Sequence, residues 1–163
     1  MKEQMIAKMI DYYRGVRTDV AHFLKVYAYA ETIGRLEGLD EKTQTTLELT
    51  AIVHDIACPL CRRKYGNAAG KHQEAESEGL LRPFLEEFRM PADMKERIIY
   101  LVTHHHTYDN VVGSDYQILL EADFLVNADE GKCSAEAIRS FRSKVFKTKS
   151  GTALLDSIYL TTY

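Results

Sequence analysis

The sequence predicts an all-α helical bundle, and three observations carry that expectation. Apolar residues recur at three- and four-residue intervals along most of the 163-residue chain; glycine, proline and cap-type residues separate those stripes; no alternating apolar and polar stretch is longer than a few residues. A chain of this length suits one domain with one core. Its hydrophobic content of 45% and charged content of 28% are those of an ordinary globular protein. A formal charge of −3 gives no electrostatic footprint for wrapping a nucleic-acid polymer. No apolar run approaches the ~20 residues of a membrane span, so no membrane partner is expected. Met1-Lys2-Glu3-Gln4-Met5 opens an amphipathic pattern rather than a charged segment before an apolar block, which makes a cytoplasmic location the expectation. Cys58, Cys61 and Cys133 cannot all pair within one chain, and a chain this size needs no disulfide to hold its core.

Taken in order, Met5, Ile6, Met9, Ile10 and Tyr13 form the first stripe, which ends at Gly15. Asp19 is expected to cap a second helix whose inward face carries Val20, Phe23, Leu24, Tyr27, Ala28 and Ile33 before Gly38 stops it; His22 lies in its first turns. Asp40 reads as the cap of a third helix, which runs through Leu47, Ala51, Ile52 and Ile56 and carries His54-Asp55. Pro59, Gly66, Asn67 and Gly70 predict that residues 58–71 form a loop with at most one helical turn, the mobile wall of a pocket. From His72 the pattern is helical again through Leu81, Phe84 and Leu85, and Pro91 stands near the start of the next helix. Ile98, Ile99, Leu101 and Val102 drive that helix inward up to His104-His105-His106. A second loop over residues 107–115 precedes a helix capped by Ser114 or Asp115, with Ile118, Leu119, Ala122, Leu125 and Val126 inward and Asp123 in its middle. Ser134 opens another helix through Ile138 and Phe141, and Leu154, Leu155, Ile158 and Tyr159 predict a last short one.

Four residues of metal-ligand type, His22, His54, Asp55 and Asp123, lie in or beside these apolar faces and come from three helices distant in the sequence. Asp123 weighs most, because its neighbours read as buried and an unpaired carboxylate there would be costly. A divalent ion would compensate both carboxylates, taking neutral imidazole nitrogens and ionised carboxylate oxygens. Neighbours on a helix point about 100° apart, so His54 and Asp55 can serve one ion only by flanking it, most easily where the last turn bends. Four protein ligands on a six-coordinate ion would leave two positions for water or substrate.

The ordered set of His22, His54-Asp55 and Asp123, in the contexts Ala21-His22-Phe23-Leu24, Ile52-Val53-His54-Asp55-Ile56 and Glu121-Ala122-Asp123-Phe124-Leu125, resembles the H…HD…D signature of the HD-domain superfamily of metal-dependent phosphohydrolases. The resemblance covers about residues 17–130. It implies an HD-domain helical bundle with a metal at its centre, as a single domain over residues 1–163 in which helices from 134–163 pack on the motif-bearing core. It further implies hydrolysis of a small phosphate ester or nucleotide by a metal-activated water, with His22, His54, Asp55 and Asp123 as ligands and Asp55 also orienting the water.

Arg62, Arg63, Lys64 and Lys71, just after the ligand pair, are the candidate cations for a substrate phosphate. His72 and the 104–106 histidines match positions that supply a second ion in two-metal relatives; His104 or His105 is preferred over His106 because they continue the inward face of Leu101 and Val102. A dinuclear-iron oxygenase and a non-catalytic nucleotide-binding regulatory module are the alternatives. The ligand types do not separate manganese, iron, cobalt, nickel, zinc and magnesium. Cys58-Pro59-Leu60-Cys61 lacks the preceding strand of a redox motif and the second ligand pair of a zinc site, so its cysteines are expected to pack beside the centre.

Overall fold

The computed structural model describes residues 1–161, and the protein is all-α, with no strand among the described residues. Its helices are α1 (Lys2–Tyr12), α2 (Arg17–Leu36), α3 (Glu41–Val53), α4 (Cys58–Tyr65), α5 (Gly70–Glu86), α6 (Ala92–Val102), α7 (Ser114–Glu130), α8 (Ala135–Val145) and α9 (Lys149–Leu155), followed by a π-helical turn, Asp156–Leu160. Residues 162 and 163 of the expected C-terminal helices lie outside the described residues. No helix among the described residues is long and apolar enough to cross a membrane.

The third helix is the centre of the packing. Asp40 caps it as its sequence position suggests, its side chain accepting from the backbone N–H groups of Lys42 and Thr43 at 3.0 Å each. Residues 46–53 are all buried, so the helix meets neighbours on every side. Leu47 and Ala51 join Val26, Ile33, Leu119 and Leu125 in a core shared with α2, α7 and the C-terminal helices. Leu49, Ile52 and Val53 join Met5, Met9, Leu81 and Ile98 in a second core shared with α1, α5 and α6. Burying one such leucine or isoleucine stabilises the fold by about 1.5–3 kcal/mol, so α3 is held from both sides and its C-terminal end is a fixed point.

Three local expectations are corrected. Residues 58–65 are helix α4, not loop, and the irregular segment shrinks to residues 66–69 before α5 begins at Gly70. Proline reads as a breaker, but Pro59 sits in the first turn, where its missing N–H has no intrahelical partner to lose; Gly66, with φ of 74°, supplies the left-handed end. The second helix starts at Arg17, so Asp19 is not its cap; it lies in the first turn and its carboxylate pairs with Arg62. Neither Ser114 nor Asp115 caps α7: Gly113 precedes it with φ of 100°, and Asp115 instead binds Arg97 through contacts of 2.9 and 2.6 Å.

Candidate metal centre

The third helix ends at Val53, and residues 54–57 continue as tighter three-residue turns, closed by Ile56 N–H on Val53 O at 3.0 Å and Cys58 N–H on Asp55 O at 2.9 Å. The first helix staples this turn from outside. The Tyr13 hydroxyl donates to Asp55 O at 2.6 Å and the Tyr12 hydroxyl to Ile56 O at 3.0 Å. His54 and Asp55 thus stand in the tighter turn that follows α3.

Facing them, α2 supplies His22 and α7 supplies Asp123. His22 Nε2 lies 3.3 Å from His54 Nε2, 3.2 Å from Asp123 Oδ1 and 3.5 Å from Asp55 Oδ2. His54 Nε2 lies 3.7 Å from Asp55 Oδ1 and 3.6 Å from Asp123 Oδ1. A fifth side chain joins them, with His105 Nε2 3.4 Å from Asp55 Oδ1. The donor atoms fall into two groups, His22–His54–Asp123 and His54–Asp55–His105, each within 4.8 Å and sharing His54.

All three imidazoles have Nδ1 engaged behind them. His54 Nδ1 donates to Ala51 O at 2.9 Å and His105 Nδ1 to Val102 O at 2.7 Å, while His22 Nδ1 is 2.8 Å from Glu130 Oε2. Carbonyl and carboxylate oxygens only accept, so Nδ1 carries the proton and each neutral ring turns an Nε2 lone pair inward. Lone pairs on three nitrogens and on two carboxylates then confront one another in a buried space, an arrangement that needs positive charge at its middle. Atoms each about 2.1 Å from one ion lie roughly 3–4 Å apart, and the five histidine–histidine and histidine–carboxylate separations among the four predicted ligands, 3.2 to 3.7 Å, fall in that range, while Asp55 and Asp123 belong to different groups.

The electrostatics of these side chains point the same way. Burial opposes charge on His22, but Asp123, Asp55 and Glu130 outweigh it and push the pKa up to about 9. His105 is also raised, burial being outweighed by Asp55. Burial likewise opposes charge on Asp55 and Asp123, yet the histidines beside them hold both carboxyls well below the usual range. Protons on imidazoles supply part of the charge that an ion would bring.

Other expected site residues stand elsewhere. His104 turns outward, its ring stacked on Tyr100 at 4.3 Å and Nδ1 2.8 Å from Tyr100 O, so of the preferred pair only His105 reaches the cluster. His72 stacks on Tyr65 at 4.0 Å and meets Asn67 Oδ1 at 3.3 Å, outside both ligand groups. His106 packs on His105 at 3.9 Å, its Nε2 buried without a hydrogen-bond partner, and burial together with His105 pushes its pKa down to about 4. Arg62 is committed to Asp19 and Lys64 to Glu76, whereas Arg63 and Lys71 are exposed and make no ion pair among the described residues. Cys58 and Cys61 are buried free thiols; burial and Asp55 raise Cys58 far from thiolate character. Glu130 was not singled out by sequence, because an acidic residue at a helix end reads as solvated; its seven-residue spacing from Asp123 was the available signal.

The family model for the HD domain matches residues 20–130, the span that contains every residue of the cluster. Comparison with curated proteins and with solved structures returns no match.

Proposed function

The chain belongs to the HD-domain family, and on that premise we propose that it is a metal-dependent phosphohydrolase, holding a divalent ion with His22, His54, Asp55 and Asp123 and acting on a small phosphate ester or nucleotide. One observation carries the reading: imidazole Nε2 atoms with Nδ1 already engaged converge with two carboxylates at ligand-to-ligand separations. An ion bound there supplies Lewis acidity toward a phosphoryl oxygen and lowers the pKa of water.

The protein's own groups supply the rest. The side chain of His54 is fully buried and that of Asp123 is 8% exposed, so both are shielded from solvent. Asp55, at 20% the more exposed of the two carboxylates, would orient the attacking water. Arg63 and Lys71, free of ion pairs among the described residues, are the cations left to meet the substrate phosphate, while Arg62 and Lys64 brace the walls.

His105 favours a second reading. Its buried Nε2 has no hydrogen-bond partner and sits 3.4 Å from Asp55 Oδ1, so His105 would be a further ligand beside Asp55 if a second ion were held there, as a two-metal hydrolase or an iron oxygenase would need. A phosphate-release screen over nucleotides and small phosphoesters, run with each candidate metal on wild type and Asp55→Ala, tests the proposal. Metal-dependent release that disappears in the variant is expected. No release with any metal, or full activity in Asp55→Ala, would overturn it.

A further inference from the structure

The three inward imidazoles are not oriented by the same means. His54 and His105 are set by carbonyls of their own turns, Ala51 O and Val102 O, each three residues back. No side-chain replacement removes those acceptors. His22 alone depends on another side chain, Glu130, 108 residues along the chain. Glu130 is the last residue of α7, and its seven-residue spacing from Asp123 is about two helical turns, which puts both carboxylates on the face toward α2. Three residues beyond His22 on α2, Lys25 reaches the other oxygen of Glu130 at 3.2 Å. Both oxygens of Glu130 are thus committed to α2.

We infer that Glu130 is a positioning residue that accepts the Nδ1–H of His22, selects the tautomer whose Nε2 lone pair faces Asp55 and Asp123, and thereby sets the affinity of the centre for a divalent cation. An ionised carboxylate is an acceptor only, so a neutral His22 hydrogen-bonded to it must carry its proton on Nδ1. Without that partner, the ring is free to place N–H rather than a lone pair toward the ligand cluster, and each ion bound must then first reverse that choice. Carboxylate partners of this kind are worth about 10–100-fold in metal affinity. Lys25 neutralises the added carboxylate, so Glu130 orients the ring without adding net negative charge to the surroundings of the cluster. The affinity of the centre is in this way tied to the docking of α7 against α2.

The inference rests on the metal-binding reading of the same cluster, and two measurements separate their failures. Zn²⁺ affinity is measured by competition against a chromophoric chelator for wild type, Glu130→Ala, Glu130→Gln and Lys25→Met. Ring ¹⁵N shifts of His22 are read in the metal-free proteins at pH 10, where the imidazole is mostly neutral. Glu130→Ala should lose about 10–100-fold in affinity and show mixed tautomers. Glu130→Gln, whose amide oxygen still accepts, should keep the Nδ1–H form and lose less than Glu130→Ala; Lys25→Met should keep the tautomer. Far-ultraviolet circular dichroism should be the same for all. Wild-type affinity and a pure Nδ1–H tautomer in Glu130→Ala would overturn the inference. If wild type takes up no zinc, the metal reading fails, and the tautomer measurement still decides what Glu130 does.

Discussion

Raising the pH of the metal-free protein should destabilise it, and loading the centre with metal should remove that dependence. His22 has its pKa raised from 6.5 to about 9 in the fold, burial being outweighed by Asp123, Asp55 and Glu130. A group raised in this way contributes its stabilisation in full below the unfolded value and loses it as the pH climbs through the folded one. The carboxylates opposite are depressed, so they stay ionised across this window and add no slope. At about 1.36 kcal/mol per unit the loss is on the order of 3 kcal/mol. For a chain of this size each kcal/mol moves Tm by roughly 2–4 °C, so the His22 contribution alone should lower the Tm of the metal-free protein by roughly 6–12 °C between pH 6 and pH 9.5, and His105, also raised, adds in the same direction. The assay is thermal unfolding of chelator-stripped protein across that range, beside His22→Gln and beside Mn²⁺-loaded wild type. The slope attributable to His22 is the difference from the Gln variant, which should be flatter, as should the loaded protein, where the ring is neutral throughout. Parallel curves for stripped wild type and His22→Gln would refute the reasoning.

Two further predictions concern the walls of the site. A Cβ at Gly70 would sit 2.6 Å from His106 Cγ, and that ring is already packed on His105, so Gly70→Ala must displace it; overpacking of this kind costs about 1–3 kcal/mol, seen as a lower Tm, and a rise in Tm would contradict the packing. The Arg63→Ala/Lys71→Ala double variant should raise KM for a phosphorylated substrate with little change in kcat or Tm, whereas Arg62→Ala should chiefly lower Tm through loss of the Asp19 pair; an unchanged KM in the double variant would remove both cations from substrate binding.

The all-helical bundle was legible in the sequence because the stripes of α2, α3, α6 and α7 are long and their punctuation, Asp40 above all, is chemically specific. The meeting of His22, His54, Asp55 and Asp123 was legible for a related reason: Asp123 and His54 are polar residues inside runs that otherwise demand burial. What stayed hidden depended on the third dimension. The choice between His104 and His105 is made by the turn after Val102, which brings His105 Nδ1 onto the Val102 carbonyl, and periodicity stops at that turn. Helix α4 was missed because Pro59 and the following glycines look like loop residues until their positions relative to the helix ends are known. Glu130 gains its meaning only when α2 and α7 pack side by side.

The central claim is that this cluster holds a divalent cation, and metal content tests it most directly. Protein purified without chelator or metal-affinity tag is taken to elemental analysis, then stripped and titrated with Mn²⁺, Fe²⁺, Co²⁺, Ni²⁺, Zn²⁺ and Mg²⁺ beside Asp123→Ala and His105→Ala. At least one first-row ion per chain is expected in wild type, with binding lost in Asp123→Ala; a second equivalent that disappears in His105→Ala would mark a dinuclear centre. Wild-type protein that carries and takes up no ion, or an Asp123→Ala variant that binds as wild type does, would contradict the account.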